Sequence, residues 1–292
     1  MAERTLVCII NQTRAHEVTW PSFKRFVLDE IGADLAVCVG VGPDYDHTNP
    51  FFANAQHRWT IEEPEDYGDV YDMAARILGS TADWRRLMEV PSQWLGGIKG
   101  PHAHPASAGI GTFYRWFLLH NLRKSGALDA YDRFIVTRSD YYYVCPHPPL
   151  SLLDSRYFWV PDGEDYHGIV DRYGLFSRAD VEAGLNFLEY ILREPDDLYR
   201  RMSWYRNWNP ERCLRMHLER FGVAHRLRRF PFFMFAARGA SDTSTWTMGE
   251  YDAALSCYVK YPAEHERAMR AQGRFRSAQD WETVLSGAVR TD

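Results

Sequence analysis

Residues Tyr131 to Pro149 read YDRFIVTRSDYYYVCPHPP. Phe134, Ile135 and Val136 have the unbroken apolar character of a short, fully buried strand. Arg138 and Asp140 follow directly, then three tyrosines. A core strand has no packing use for a cation and an anion two residues apart at its exit. Such a pair offers a guanidinium to an anionic group and a carboxylate to a proton or a hard metal ion. The competing interpretation is a structural Arg–Asp pair closing a strand end.

Two other places put polar groups where a sheet ends. Thr5 to Ile10 (TLVCII) is a β-branched run that stops at Asn11 and is followed by Arg14. Pro161 to Arg178 (PDGEDYHGIVDRYGLFSR) follows another apolar run and carries Glu164, Asp165, His167, Asp171 and Arg172. In an open α/β sheet, ligands bind outside the carboxyl ends of the strands. PDGED is also a turn sequence on its own merits. Asp171 lies beyond that turn. Arg115 stands on a helix before the central strand, and Glu211 in the first turn of another, where it complements the helix dipole. His102 and His104 sit in PHAHP with no third ligand in view, so a solvated loop is the simpler expectation. His217 reads as a surface or packing residue. No G-x-S-x-G, no dinucleotide fingerprint and no phosphate-loop spacing is present.

The elements that must position these residues follow from periodicity. Thr5–Ile10, a helix over Ser22–Gly32 closed by glycine, and a strand over Asp34–Gly42 make a βαβ unit, which favours a parallel sheet. Tyr45 to Pro105 mixes helical stretches with loops. Its glycine-rich end, GGIKGPHAHPASAGIG, is expected as a mobile active-site loop or a plain connection. Gly111–Tyr131 and Ala179–Glu194 read as helices. Asn209–Gly222 reads as a helix with Asn209 as N-cap, Pro210 in the first turn and Gly222 at the end. Tyr157–Pro161 is a strand, AHRLRRFPFFMF a single late strand, and the tail from Glu250 is polar with a helix in it. The expected organisation is one domain over 1–292, with its core at about 5–240 and a C-terminal extension over 241–292.

In order and spacing these pieces resemble glycosyltransferases of the GT-A type. The likeness is to bacterial and viral enzymes of surface-polysaccharide and lipopolysaccharide synthesis that carry Arg-x-Asp in place of a two-aspartate motif. CIINQTR, YDRFIVTRSD, DGEDYHGIVDRYGLFSR and WNPERCLRMHLERFGV carry it, over roughly residues 5 to 230. The resemblance implies an α/β, Rossmann-like GT-A fold with a mainly parallel central sheet and helices on both faces. It implies transfer of a hexose from a nucleotide diphosphate sugar to a hydroxyl of a glycan or lipid-linked glycan. Asn11, Arg14, Arg115, Arg138 and Asp140 would then bind the donor, with Asp140 holding Mn²⁺ or Mg²⁺. Asp171 would be the catalytic base, and Glu164, Asp165, His167, Arg172 and Glu211 would contact sugar or acceptor. Asp140 has only Tyr142, no acidic residue, two positions on, which bears directly on the metal. Two alternatives stand beside this: a non-catalytic carbohydrate-binding protein on a degenerate transferase fold, and a nucleotidyltransferase, for which lysines at strand ends are wanting.

Composition sets outer bounds. A net charge of -5 gives no basic field for nucleic acid. Five cysteines without a C-x-x-C pair suit a reducing compartment. No apolar run is long enough for a membrane span, and the expected location is cytoplasmic or peripheral at the inner face of a membrane. Aromatics make up 15% of the chain; Tyr199–Trp208 (YRRMSWYRNW) could line an acceptor groove, pack on the core or join two copies into a homodimer.

Overall fold

The computed structural model describes residues 3–205, 208–239 and 249–286. Its centre is a seven-stranded sheet in the order β3-β2-β1-β4-β7-β6-β8. The strands are β1 (Thr5–Asn11), β2 (Asp34–Val41), β3 (His57–Glu62), β4 (Arg133–Thr137), β6 (Phe158–Asp162), β7 (Gly174–Ser177) and β8 (Leu227–Pro231). All neighbours are parallel except β7, which runs against both β4 and β6. A second, four-stranded sheet joins β5 (Tyr141–Tyr143), β9 (Met234–Arg238), β10 (Glu250–Asp252) and β11 (Cys257–Val259) in the order β10-β11-β9-β5.

Alternation along the strands feeds two cores, one on each face of the large sheet. Leu6, Cys8, Ile10, Ala36 and Cys38 pack with Phe113, Leu118 and Leu122 of the Ala108–Lys124 helix. Val7, Ile9, Leu35, Val37 and Val39 pack with Phe23 and Val27 on the other side. Both faces of β1 and β2 are therefore apolar, as a sheet covered by helices on both sides requires. All five cysteines are buried and free, and burial pushes the Cys8 and Cys38 thiols well up.

Several boundaries differ from the sequence expectation, each for a local reason. The first helix begins at His16, not Ser22, and continues through a π-helical stretch at Lys24–Leu28 to Ile31. Pro21 is its sixth residue, past the first turn, where proline can give no N–H to the carbonyl four residues back. Gly32 closes it at φ 61°. Ala179–Glu194 is broken at Asn186 into helices over Val181–Leu185 and Phe187–Arg193. AHRLRRFPFFMF is two strands, β8 and β9, in different sheets. β3 is an edge strand with alternating burial, and β7 is an antiparallel insertion too short to stand out in the sequence. The three tyrosines after Asp140 are β5, a strand of the small sheet, with Tyr142 stacked on Phe235.

The polar tail is built into the small sheet and its surroundings. β10 and β11 extend that sheet, and the Pro262–Gln272 helix packs on β9. In the final helix, Ala278–Leu285, Trp281 lies flat on Phe275 at 3.8 Å and edge-on to Phe233, and its indole donates to the Pro146 carbonyl. Trp281→Ala is expected to cost about 3–5 kcal/mol in urea unfolding, with one cooperative transition kept. Loss of less than about 1 kcal/mol would show that the tail only rests on the core.

Candidate active site

The carboxyl ends of β1 and β4 lie side by side, because Leu6 pairs with Phe134 and Ile9 with Thr137. Ser139 fastens the two exits together. Its hydroxyl donates to the Gln12 carbonyl and accepts the Arg14 amide, both at 2.8 Å, while its own carbonyl accepts from Thr19 Oγ1. Asn11 turns the chain at φ 81°, a left-handed conformation that asparagine tolerates better than most residues. Its buried Oδ1 has no hydrogen-bond partner among the described residues. Beyond it a polar chain runs from Arg14 Nε to Gln12, from Gln12 to Glu63, and from Glu63 to the hydroxyls of Tyr67 and Tyr114. Gln12, Glu63 and the two tyrosines carry no sequence signal of this role.

These exits open into a cavity of about 650 Å³, a size suited to a nucleotide-sized ligand. Of the residues singled out in the sequence, Asn11, Arg14, Arg115, Arg138, Asp140, Asp171, Arg172 and Glu211 line it. Glu164, Asp165 and His167 do not. Asp165 instead accepts the Val170 amide and pairs with Arg229, and Glu164 faces Arg267 at 3.5 Å. His167, at φ 71°, faces a neighbouring groove. His104 is buried and holds its loop by Leu95 N–H and the Met88 carbonyl, so it is not the solvated residue expected. His217 packs between Phe187 and Phe221, and burial lowers its imidazole to about 4.

One wall of the cavity is cationic. Asp140 is 2% exposed. Arg138 grips it with Nε on Oδ1 at 2.9 Å and Nη2 on Oδ2 at 2.6 Å, and Arg238 adds Nη1 on Oδ2 at 3.1 Å. Burial alone would push this carboxyl up, but Arg138 and then Arg238 hold it down at about 2. Lys260, next in the wall, is lowered to about 7 by burial and by the Arg138 and Arg238 charges, against the pull of Asp140. Arg172 pairs with the buried Glu264 at 2.5 Å and lies over Tyr261. Arg115 is 7% exposed and has no hydrogen-bond or ion-pair partner among the described residues; burial lowers its pKa, with Asp171 opposing.

A divalent cation at Asp140, as the resemblance implies, does not suit these residues. Both carboxylate oxygens are already engaged by guanidinium groups, and an added ion would sit among Arg138, Arg238 and Lys260. Like charges at such distances repel strongly in a low-dielectric setting. Among the described residues no three His, Cys, Asp or Glu side chains come together as a ligand set.

The same cavity also holds two carboxylates, Asp171 and Glu211. Asn209 caps the Pro210–Arg220 helix by accepting the Arg212 amide, and its amide group donates to the Tyr166 carbonyl. Ile169 N–H donates to the Glu211 carbonyl at 3.0 Å. Gly168 permits this approach, since a Cβ there would lie 2.0 Å from the Glu211 carbonyl carbon. The loop is thereby pinned to the helix start, and Asp171 comes to face Glu211. Burial first, and then the Asp171 charge, pushes the Glu211 carboxyl from 4.5 to about 8. Two close carboxylates cannot both ionise cheaply, so Glu211 keeps a proton at neutral pH.

Lys260, Tyr261, Tyr166 and Gln93 also line the cavity and were not visible as site residues in the sequence; Trp208, from the Tyr199–Trp208 stretch, lines it as well. Lys260 and Tyr261 come from the tail, after β11, and reach the site only because β11 pairs with β9.

Glu211 binds a proton in the folded state that it releases when unfolded between pH 4.5 and about 8. Stability therefore falls as pH rises through that window. Glu211→Gln removes this contribution, so the variant gains on the wild type from pH 5 to pH 8 in denaturant titrations. Parallel curves for the two proteins would mean that Glu211 is not the group holding the proton.

Residues 118–255 match a family model described as a domain of unknown function (DUF7796). No curated protein matches the chain. Among solved structures, mouse xyloside xylosyltransferase 1 in its apo form aligns over 78% of this chain and 85% of that one, at 10% identity and a TM-score of 0.36. Among the described residues no helix is long and apolar enough to cross a membrane.

Proposed function

We propose that this chain is a glycosyltransferase of the GT-A type that moves a hexose from a nucleotide diphosphate sugar to a hydroxyl of a glycan or lipid-linked glycan. The observation that carries this is one cavity whose lining combines several cations with a carboxylate pair. Arg115, Arg138, Arg172 and Lys260 line it with Asp171 and Glu211. Glycosyl transfer needs both charges. The leaving diphosphate gains negative charge as the anomeric bond breaks, and preorganised cations stabilise it. The attacking hydroxyl loses a proton as it bonds to the anomeric carbon, and a carboxylate takes it.

The cations meet the diphosphate from several sides. Arg115 supplies a buried guanidinium, Arg138 a guanidinium fixed by Asp140, and Lys260 an ammonium whose low pKa rises as the anion arrives. Charge stabilisation thus falls to side chains and no step runs through a metal ion. Asp171 is the base and receives the hydroxyl proton. Glu211, already protonated, donates a hydrogen bond to the sugar and keeps a second negative charge away from Asp171. Asn11 and Arg14 stand at the β1 exit for the nucleoside. A carbohydrate-binding protein would have use for the aromatic and carboxylate lining but not for so many cations. A nucleotidyltransferase would need a hard cation beside its triphosphate, which the Asp140 setting disfavours.

The test is donor binding followed by turnover. At a hundred times its Kd, a nucleoside diphosphate is expected to stabilise the wild type by about 2.7 kcal/mol, with and without EDTA. Arg115→Gln should remove most of that shift. Asp171→Asn should keep it while lowering transfer by about 10²–10⁴-fold. If no nucleoside diphosphate or diphosphate sugar shifts the wild type in either buffer, the transferase proposal fails.

A further inference from the structure

A second groove of about 810 Å³ adjoins the cavity and shares Trp208 with it. Trp208 is fixed as the partition: its indole donates to the Met202 carbonyl at 2.7 Å, and its own carbonyl accepts from Ser92. Two exposed aromatic side chains line the groove. Trp204 is 84% exposed and Tyr205 57%, and Tyr205 meets Trp208 edge-on at 5.5 Å. A tryptophan left this open beside a concave wall is unusual for packing and suits stacking against the apolar face of a sugar ring.

The rim supplies the charge. Arg200, Arg201, Arg212 and Arg215 line the groove against two carboxylates, Asp197 and Glu219. Arg201 bonds Asp197, and Arg215 bonds Glu219 at 3.0 Å. Arg212 lies over Tyr205 at 5.7 Å, with its Nε buried and no hydrogen-bond partner among the described residues. This local cationic excess stands out in a chain of net charge -5. Arginine forks suit carboxylate and sulfate groups held beside a ring.

We infer that this groove is the acceptor subsite and that it takes an acidic oligosaccharide, one carrying carboxylate or sulfate groups. The assignment rests on the transferase proposal for its role, but the groove's ligand class stands on its own residues. A sugar chain lying on Trp204 and Tyr205 would pass Trp208 and present its terminal hydroxyl toward Asp171, which lies in the adjoining cavity.

The probe is a heparin-derived tetrasaccharide, with chitotetraose as the neutral control and an oligothymidylate as the other stacking anion, each titrated calorimetrically. The acidic tetrasaccharide is expected to bind the wild type more tightly than either control. Trp204→Ala should weaken it by about tenfold, and Arg212→Gln should weaken it and flatten its salt dependence. Trp204 is exposed, so its variant tests the groove without endangering the fold. Equal binding of chitotetraose, tighter binding of the oligothymidylate, or a tetrasaccharide that binds wild type and Trp204→Ala alike or not at all, each overturns the assignment. Nucleoside diphosphate stabilisation, measured on the same Trp204→Ala protein, reads the transferase proposal separately.

Discussion

Asp140 is held between Arg138 and Arg238, and the rest of the site depends on that clamp. Arg138 belongs to the exit of β4, the middle of the large sheet. Arg238 ends β9, in the small sheet. The Asp140 carbonyl also accepts the Ala237 amide at 2.8 Å, so backbone and side chain bind the two sheets at one residue. Removing one partner from a buried ion pair leaves an uncompensated charge, at about 3–5 kcal/mol. The clamp fixes the angle at which β5 leaves the large sheet, and hence where β9, β11 and the tail lie. The same carboxylate that orients Arg138 toward the cavity is thereby withdrawn from metal binding. Orientation of a cation and ligation of a metal are competing uses of one aspartate, and its three charged hydrogen bonds decide between them.

The carboxylate wall has the opposite logic. Glu211 and Asp171 are brought together by backbone, through the Gly168 approach and the Asn209 cap. Their repulsion is relieved by a proton on Glu211. Across one cavity, then, a carboxylate surrounded by guanidinium groups is driven to ionise and a carboxylate beside another is driven to protonate. Desolvation raises both; at Asp140 the guanidinium charges overturn it, and at Glu211 the Asp171 charge adds to it.

Much of this was legible locally. TLVCII, DLAVCVGVG and RFIVT announce buried parallel strands because both faces of each are covered, and NPERCLRMHLERFG announces its helix by cap, proline and glycine. The residues at strand exits were found for the same reason, since Arg138 and Asp140 are conspicuous after an apolar run. What stayed hidden depends on pairings distant in sequence. Arg238 is one arginine among many until β9 is laid beside β5. Glu164 and Asp165 look as suited to chemistry as Asp171, and only the fold shows Arg267 and Arg229 facing them. β7 has four residues, too few for period-2 alternation to speak.

The tail makes the same point about where a site ends. Glu250 to Leu285 reads as a polar appendage, yet it supplies Lys260 and Tyr261 to the cavity and the buried Glu264 that holds Arg172. None of these could act from a loosely attached segment, because a lysine free in solvent would keep its ordinary pKa and would have no fixed distance to Arg138. The depression of Lys260 to about 7 comes from burial and from the Arg138 and Arg238 charges, neighbours that it meets through the pairing of β11 with β9. The pairing of β11 with β9 therefore sets both the position and the charge of Lys260, whereas Asp171 and Glu211 are positioned separately, by the Gly168 approach and the Asn209 cap.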